Sequence, residues 1–555
     1  MRFRAIAGSA ALALELTTAC GPRRLPDDAA ARLALAIDVP GARGGVAKRP
    51  AAIAPATLGF VQPATPLRGA NGLACLDRHL IVAEALGGRL LRIAADGGLE
   101  SIPLPPGMRA PDGVAVDAVG NLFVSDAASG DVWRRQARGG GWGTVARGVP
   151  NVAGIAVDAS GHVFAGTCAR DGAILELDPE EREPRRVVAT GLACPGTMVA
   201  EPDGTLVAPL REAGSVVRIS VGGGAVATVA DGLRGPAAVA RAPDGTLVVL
   251  ESATGVVRNL GVSSGTASDA AEVTRLAPGL GGFTVCGESA VTSNFLTGEL
   301  IAFKPWPSGS RILARGGLAV PRGLAQSGDA LLVSDGVSIR RLRGGRAEVL
   351  VTTAADSIPT PFAIALGPGG SAWITVPHLG EVHRVDLAEG TSRKVAGGFD
   401  RPTSILATAG GGVVVADTGA GRIVRIEPDG SLRTLASGLV SPLGLALRGG
   451  QILTVEPTGG RVLGIREGRP PTLIATALAA PAGVAVDAGG HVFVAESRTG
   501  SLLRIDADGS HRKIATGFAF GDAESYPSPI AMLAATDGSI LVALPTDGSI
   551  TRVNP

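Results

Sequence analysis

Aromatic residues and net charge are both scarce in this chain. Only 3% of its 555 residues are aromatic, with one tyrosine and four tryptophans, and the formal net charge is +1 at pH 7. Surfaces that stack sugars or bases are usually aromatic, and proteins that hold nucleic acid usually carry a basic excess. The composition therefore disfavours a stacking surface and predicts no nucleic-acid partner.

Charged residues are also few, whereas glycine and proline are abundant. The chain is 18% charged and 45% hydrophobic, so it can bury a large core, which argues against disorder. Its 81 glycines and 38 prolines follow no collagen-like period and therefore indicate many tight turns. Many turns combined with a large core predict an all-β protein, and the length predicts more than one domain.

The first twenty residues have the pattern of an export signal. Arg2 and Arg4 precede an apolar run at residues 5–14, which is too short to span a membrane as a helix. Cys20 follows small residues and resembles the cysteine of a bacterial lipobox, which is acylated and becomes the mature N-terminus. Glu15 interrupts the apolar run, and an ordinary secretory signal with an incidental cysteine is the alternative.

The segment after this signal is expected to be a tether. Gly21 carries no acidic retention signal, which in a Gram-negative lipoprotein implies the outer membrane rather than the inner one. Residues 21–65 are rich in alanine, proline and arginine, as is typical of a linker. No other stretch has the pattern of a membrane span. We therefore expect a periplasmic or outer-membrane-anchored protein that meets the membrane through its N-terminal lipid only.

One motif recurs along the remainder of the chain. It consists of a short strand, an Asp-Gly or Gly-Gly turn, an apolar strand ending in a polar residue, a glycine loop and a further strand, as at residues 113–126 and 483–496. A period near forty with three or four strands per unit is typical of a β-propeller blade. The last residues of the second strands, 39 to 48 apart, are Glu84, Asp126, Thr167, Leu210, Glu251, Asn294, Asp335, Val376, Asp417, Glu456, Glu496 and Leu544.

Twelve repeats are too many for one ring, because single propellers have about four to eight blades. The last six strand-end residues follow the first six at offsets of 245 to 251 residues. This fits two tandem six-bladed β-propellers, at residues 66–310 and 311–555. A division into seven and five blades also stays open at this point.

Two cysteine pairs bear on the number of blades. Cys75 and Cys286 occupy the same place in repeats one and six, which are neighbours in a closed ring of six and not in a ring of seven. Cys168 ends the second strand of repeat three, and Cys194 opens repeat four, on what should be the same face. Both pairs therefore predict disulfides between adjacent blades of an exported protein. For the first pair, two buried small apolar residues are the alternative.

The last repeat has only three strands before residue 555, so its sheet needs one strand from elsewhere. We expect residues 57–61 to complete blade six and residues 311–315 to complete blade twelve. Such borrowing would cover sheet edges that otherwise invite aggregation.

The repeat resembles known families of propellers. Its consensus, Pro-x-Gly-(Val/Leu)-Ala-Val-Asp, then Gly-x-(Leu/Val)-(Phe/Val)-Val-(Ala/Ser)-(Asp/Glu), then Gly-x-(Ile/Leu)-x-Arg-Ile, covers roughly residues 66–555 and resembles the NHL repeat. It is also similar to the blades of the regucalcin/gluconolactonase group and of streptogramin lyase, which are TolB-like six-bladed propellers. This resemblance implies the fold and leaves the activity open, because one fold hosts many functions.

The resemblance does not carry a catalytic site over to this chain. The gluconolactonase group holds a divalent metal in its channel, and Asn71-Gly72 is similar to its Asn-Gly pair. However, the family's glutamate before Gly-Pro is missing, and Asp112 stands where the family has asparagine. Streptogramin lyase uses histidines near its channel, and here His378 and His383 flank a loop of blade eight. The catalytic residues are therefore unknown from the sequence.

The polar strand-end residues are the main candidate site. In the NHL-type fold such positions lie near one mouth of the channel, and converging carboxylates repel unless a cation or arginines intervene. An oxygen-rich ring of this kind suits Ca²⁺ or Mg²⁺. The candidates are Asp335, Asp417, Glu456 and Glu496 in the second ring, and Glu84, Asp126, Glu251 and Asn294 in the first.

A structural interpretation competes with this candidate metal site. The acid belongs to the repeat consensus, and so does an arginine on the next strand. The two would then pair or cap turn amides within each blade. The consensus arginines are Arg92, Arg218, Arg384, Arg425, Arg504 and Arg552.

Two functions follow from these alternatives. The first is a binding scaffold in the cell envelope that presents loops to an unknown protein or small-molecule ligand. The second is a metal-dependent propeller enzyme, a lactonase or lyase, with an acidic channel. The sequence shows no zinc-type Cys/His spacing, no serine nucleophile elbow and no phosphate loop.

Overall fold

The computed structural model describes most of the chain beyond the N-terminal segment. The predicted signal peptide at residues 1–20, the predicted lipidation site at Cys20 and nearly all of the tether at residues 21–65 lie outside the described residues. The described ranges are 58–62, 67–94, 98–137, 140–178, 186–261, 265–266, 271–304, 306–344, 346–353, 358–520 and 528–555.

The first ring consists of six four-stranded antiparallel sheets, numbered as blades one to six, and each sheet follows chain order. Blade four gains a two-residue fifth strand, β21 (Gly265–Thr266), which is parallel to β17. The blades are β2 (Ala70–Leu76), β3 (His79–Glu84), β4 (Arg89–Ile93), β5 (Leu99–Ile102); β6 (Pro111–Val116), β7 (Leu122–Asp126), β8 (Val132–Arg135), β9 (Trp142–Ala146); β10 (Val152–Val157), β11 (Val163–Thr167), β12 (Gly172–Leu177), β13 (Arg186–Leu192); β14 (Val199–Ala200), β15 (Thr205–Leu210), β16 (Ser215–Ser220), β17 (Val226–Asp231); β18 (Pro236–Arg241), β19 (Leu247–Glu251), β20 (Val256–Asn259), β22 (Ala271–Arg275); and β23 (Leu280–Cys286), β24 (Ser289–Asn294), β25 (Leu300–Phe303), β26 (Ser310–Ala314).

The second ring consists of blades seven to twelve, again with four antiparallel strands each. A short 3₁₀ turn, Pro368–Gly370, precedes the second strand of blade eight. The blades are β27 (Pro321–Ser327), β28 (Ala330–Asp335), β29 (Ser338–Arg343), β30 (Arg346–Thr352); β31 (Ile364–Leu366), β32 (Ser371–Val376), β33 (Glu381–Asp386), β34 (Thr391–Gly397); β35 (Pro402–Ala407), β36 (Val413–Asp417), β37 (Arg422–Ile426), β38 (Leu432–Ala436); β39 (Leu443–Arg448), β40 (Gln451–Glu456), β41 (Arg461–Ile465), β42 (Thr472–Ala475); β43 (Pro481–Val486), β44 (Val492–Glu496), β45 (Ser501–Ile505), β46 (His511–Thr516); and β47 (Met532–Ala534), β48 (Ile540–Leu544), β49 (Ser549–Val553), β1 (Leu58–Gln62).

Both rings are closed circles of six blades. The innermost strand of blade one, β2, packs beside the innermost strands of blades two and six. In the same way β27 packs beside β31 and β47. The division into seven and five blades is therefore excluded. All twelve positions that the repeat spacing assigned to second-strand ends are the last residues of those strands, which confirms the predicted period.

The chain contacts also divide the molecule into two compact units. Among the described residues, the first unit holds 67–317, and the second holds 58–62, 318–353 and 358–555. The second unit is thus discontinuous in sequence. Within the described ranges, no helix is long and apolar enough to cross a membrane.

The predicted exchange of outer strands is wrong. β1 pairs with β49 of blade twelve, with Leu58 opposite Val553. Blade six is completed by its own next segment, β26, where Ile312 lies opposite Ile301. The repeat could not decide this assignment, because both open edges present the same ladder of N–H and C=O groups. As a result, the first ring is one continuous segment inserted between the last strand of the second ring and the rest of it.

Apolar side chains from adjacent blades pack into shared cores. At the closing seam of the first ring, Leu73, Val82 and Leu91 of blade one meet Val291 and Leu300 of blade six, and all five are buried. Burying one such side chain contributes about 1.5–3 kcal/mol. The seam is therefore packed like the junctions between blades that are adjacent in sequence.

Glycines on the inner strands allow adjacent blades to approach closely at the ring axis. A Cβ atom on Gly113 would lie 2.5 Å from the carbonyl oxygen of Ala153 on the next blade. A Cβ on Gly154 would overlap the carbonyl oxygen of Gly196 in the blade after that. Only glycine fits backbones that approach this closely. The glycine in the repeat consensus therefore sets how tightly the inner strands surround the axis.

Candidate functional site

Each polar strand-end residue bonds within its own blade. In blade seven, Asp335 accepts hydrogen bonds from the backbone N–H groups of Ala319, at 3.0 Å, and Val320, at 2.6 Å. Its carboxylate also pairs with Arg340 Nε at 2.9 Å, and both side chains are at least 96% buried. One carboxylate thus ties the loop entering the blade to the third strand.

We call this arrangement the blade clasp: a polar strand-end residue, the loop amide that it binds, and the side chain that it binds near the start of the third strand. It occurs with an arginine in blade nine, where Asp417 bonds the N–H of Asp400 and Arg422 Nε, both at 2.7 Å. Threonine or serine replaces arginine in other blades. The remaining clasps are Glu84 with Arg68 N–H and Arg89, Asp126 with Ala110 N–H and Ser129, Glu251 with Arg234 N–H and Arg258, Glu456 with Val440 N–H and Arg461, and Glu496 with Ala479 N–H and Thr499.

Asn294 takes the same place in blade six with the chemistry of an amide. Its Nδ2 donates to the carbonyl oxygens of Ala277 and Pro278, both at 3.0 Å. Its Oδ1 accepts from the N–H groups of Leu296, at 3.0 Å, and Thr297, at 2.9 Å. The amide therefore satisfies loop carbonyls as well as turn amides.

Each of the eight candidate residues bonds to groups of its own blade. Among the described residues, no three His, Cys, Asp or Glu side chains lie close enough to share a metal ion. The arrangement corresponds to the structural interpretation of the acid column. The candidate Ca²⁺ or Mg²⁺ ring has no assembled set of ligands in this part of the chain.

The predicted arginine partners of these acids are wrong. Glu84 lies directly opposite Arg89, the first residue of its third strand, whereas Arg92 lies opposite Ile81. Because Arg89 and Arg92 are three positions apart, they project from opposite faces of the strand. The six consensus arginines instead bind other partners: Arg92 with Glu100, Arg218 with Asp203, Arg384 with Ser371, Arg425 with Glu427, Arg504 with Asp506 and Arg552 with Asp537.

Burial dominates the electrostatics of two clasps. It raises the pKa of Glu84 above its usual value, although Arg89 and the N–H of Arg68 favour the charged form. Burial also raises the pKa of Asp417, against the effect of Arg422. These carboxylates are thus held by geometry inside the blade at some electrostatic cost.

Blade eight lacks the clasp. Val376 replaces the acid, and Glu381 opens the third strand, where it accepts from Lys394 Nζ at 2.6 Å and pairs with His383 Nε2 at 2.7 Å. Burial lowers the pKa of the neighbouring His378 to about 4, so this imidazole is neutral at pH 7. His378 Nε2 and His383 Nδ1 are buried with no hydrogen-bond partner among the described residues.

Both expected disulfides are present. Cys75–Cys286 joins the inner strands of blades one and six, with the Cα atoms 5.2 Å apart. Cys168–Cys194 joins blades three and four and packs against Ala153. Two disulfides indicate an oxidising environment.

The axis of the first ring carries a polar pair that the strand-end positions do not include. Asn71, on blade one, donates through Nδ2 to Asp112 of blade two, and its Oδ1 lies against Gly281 of blade six. A side chain that reaches both neighbouring blades lies on the axial side of its strand. The four other equivalent positions of this ring hold only small residues, Ala153, Gly196, Ala237 and Gly281.

The axis of the second ring has larger and more apolar residues at the equivalent positions. Arg322 of blade seven lies over the ring of Phe362 of blade eight, 5.1 Å from its centroid. Thr403 hydrogen-bonds Thr418 within blade nine, at 2.5 Å. The remaining three positions are Leu443, Ala482 and Ile530, all buried.

Two closed rings of six four-stranded blades define a tandem six-bladed β-propeller protein. No protein-family model matches the chain, and no curated protein matches its sequence. Solved structures that it is similar to include that of a streptogramin B lyase, at 14% identity over 65% of this chain and 93% of that one, with a TM-score of 0.28.

Two further similar structures cover less of the chain. One, named as a gluconolactonase, is 14% identical over 42% of this chain and 88% of that one, with a TM-score of 0.34. The other, named as an oxidoreductase (glucose dehydrogenase) from Thermus thermophilus, is 21% identical over 43% of this chain and 97% of that one, also with a TM-score of 0.34. At such identities the similarity concerns the fold alone.

Proposed function

We propose that this protein is an exported, lipid-anchored double β-propeller that serves as a ligand- or protein-binding scaffold in the cell envelope. The observation that carries the proposal is the blade clasp. A carboxylate that holds a loop and a strand together through buried hydrogen bonds cannot leave to act on a substrate without opening its blade. The recurring acids therefore have a structural role, and binding specificity comes from positions that differ between blades.

Export and anchoring are supported by the N-terminal sequence and by the disulfides, which persist in oxidising compartments. The test replaces Cys20 by serine and follows the protein by cell fractionation and labelling with radioactive palmitate. We expect wild type in the membrane fraction with label, and Cys20→Ser unlabelled and released from it. Label or membrane association that survives the substitution would contradict lipid anchoring at Cys20.

The axis of the first ring is the position that we assign to the ligand of this scaffold. Asn71 and Asp112 offer an amide and a carboxylate beside four small residues, whereas bulkier side chains occupy the second axis. The test compares capture from an envelope extract by wild type, Asn71→Ala and, as matched control, Thr403→Ala on the second axis. Partners should be lost with Asn71→Ala alone. If both variants lose the partners equally, or if neither variant loses them, the ligand does not bind at the axis of the first ring.

A metal-dependent enzyme of the gluconolactonase kind is the other function considered, and the axial residues do not fit it. Ca²⁺ takes about six to eight oxygen ligands. The first axis supplies side-chain oxygens only from Asn71 and Asp112, which already bond to each other. On the second axis Arg322 brings a positive charge. We therefore derive no reaction step through a metal.

The experiment that separates scaffold from enzyme is elemental analysis of the mature protein before and after chelation, together with thermal melting. The scaffold predicts no stoichiometric divalent metal and an unchanged melting temperature. A stoichiometric metal whose removal lowers the melting temperature would favour the enzyme instead.

A further inference from the structure

A groove on the outer side of the first ring lies between blades one and two, away from the clasps. One wall is the loop that leaves blade one, which contains Pro103, Leu104, Pro105 and Pro106. The other wall consists of the two outer strands of blade two, β8 and β9. The groove measures about 460 Å³ and is completed by Trp133, Arg135, Gly140 and Trp142. A volume of this size is within the range of small-molecule sites, roughly 300–1,000 Å³.

The two tryptophans have different hydrogen-bonding states. Trp142 Nε1 donates to the carbonyl oxygen of Pro103 at 2.9 Å, which ties the two walls together and fixes that indole. Trp133 is 8% exposed, and its Nε1 is buried with no acceptor among the described residues. A buried donor without a partner is unfavourable. Trp133 thus lines the groove with an indole whose N–H is covered and lacks an acceptor among the described residues.

The charge of the groove has one sign. Arg135 is the only charged residue among the described residues that line it, and none of them is acidic. Arg135 lies directly opposite Trp142 in the antiparallel pair of β8 and β9. The guanidinium, the indole N–H and the apolar proline and tryptophan walls together match a molecule with an apolar body and an anionic oxygen.

We propose that this groove is a second binding site, independent of the ring axes, for a small apolar carboxylate. In the bound state the apolar body packs between the proline loop and Trp142. The carboxylate pairs with Arg135, and the indole of Trp133 turns toward the groove so that Nε1 donates to one carboxylate oxygen.

The test is calorimetric titration of the mature protein with 2-naphthoate and with its neutral counterpart, naphthalene-2-methanol. We expect 2-naphthoate to bind with a Kd below about 1 mM, and the alcohol to bind about tenfold more weakly. Arg135→Gln should weaken naphthoate binding about tenfold without altering binding of the alcohol. Arg134→Gln, next on the same strand and outside the groove lining, is the matched control and should change neither.

A second variant tests the indole donor while keeping the aromatic bulk. Trp133→Phe should weaken naphthoate binding about fivefold to tenfold, and thermal melting checks that the blade is still folded. The proposal is overturned if 2-naphthoate does not bind, or if it binds equally well to Arg135→Gln and Trp133→Phe. Binding of a neutral proline-rich decapeptide in place of 2-naphthoate would also overturn it, because the groove would then be a peptide site.

Discussion

The two rings share one blade design and are closed by different means. In the first ring, a single continuous segment returns to its starting point, and Cys75–Cys286 crosses the seam between its first and last blades. The second ring has no cysteine, and its last blade is completed by β1, from the other end of the chain. Its seam is also crossed by hydrogen bonds between the half-buried Gln326 and the exposed Thr536.

This difference shows that the junction between the first and last blades of a ring needs contacts that the chain itself does not provide. Elsewhere in each ring the chain runs from one blade directly into the next, so neighbouring blades are covalently linked. The first and last blades have no such link. In the first ring a disulfide crosses between them, whereas in the second ring β27 of blade seven packs beside β47 of blade twelve, and β1 completes only the sheet of blade twelve. The connection across the first seam therefore depends on the redox state, whereas the completeness of blade twelve in the second ring depends on β1.

The largest effect is expected from removing the outer strand of blade twelve. Replacing residues 58–62 by a Gly/Ser segment of equal length deletes the β1–β49 ladder and exposes the edge of blade twelve. Four ladder positions are lost, at about 1–1.5 kcal/mol per hydrogen bond. We expect the second ring to lose about 5 kcal/mol and to melt first. Hydrogen exchange by mass spectrometry checks this prediction, and an equal loss of protection in both rings would contradict the role of β1 in blade twelve.

The complementary change opens the first ring. Replacing Cys75 and Cys286 together by serine should cost about 4 kcal/mol in the free energy of unfolding, within the range for native disulfides. The matched control is the Cys168/Cys194 double serine variant, because its loop spans 26 residues instead of 211. Loop-closure entropy then predicts a loss smaller by about 2 kcal/mol. Urea titration measures the free energy of unfolding of both variants. An equal decrease in the two variants would contradict the prediction, because neither the position at the seam nor the loop length would then affect stability.

Acid should weaken the second ring selectively. The pKa of His378 is lowered to about 4 by burial, below the unfolded value near 6.5, so the unfolded chain takes up the proton first. The stability from this residue is therefore complete above pH 6.5 and is lost as the pH falls toward 4, by up to about 3 kcal/mol. His378→Asn should remove this pH dependence of the free energy of unfolding, as measured by urea titration at several pH values. The same pH dependence in the variant and in wild type would contradict the lowered pKa of His378.

The smallest effect concerns a clasp of the first ring. Because burial raises the pKa of Glu84, this carboxyl contributes most when it is protonated, below its unfolded pKa of about 4.3. Its contribution falls as the pH rises through the raised folded pKa. The stability of wild type relative to Glu84→Gln should therefore decrease as the pH rises above about 4.3. A difference that grows with pH would mean that Arg89 outweighs burial.

The sequence predicted what depends on the repeat. Spacing alone located the twelve second-strand ends, and the equivalence of Cys75 and Cys286 indicated a ring of six. The sequence could not predict which outer strand completes which blade, because the alternatives look alike in the repeat. β1 and β26 are both short strands that suit either open edge, and only the packed structure decides between blades six and twelve.

Two other features were missed by the sequence analysis, the clasp partner Arg89 and the groove between blades one and two. The clasp partner Arg89 is less regular in the repeat than Arg92, and only the antiparallel register places it opposite Glu84. The groove was not predicted because it joins residues from two blades. Pro103 and Trp142 are 39 positions apart, about one repeat, but neither residue belongs to the repeat consensus that the sequence shows.

The central claim is that each strand-end carboxylate serves its own blade. The most direct test is hydrogen exchange by mass spectrometry on Asp417→Ala compared with wild type. The account predicts faster exchange only in blade nine, around the N–H of Asp400 and strands β35 to β37, with other blades unchanged. Faster exchange that also reached the strand ends at Asp335, Glu456 and Glu496 would mean that these residues form one shared ring site, and would contradict the account.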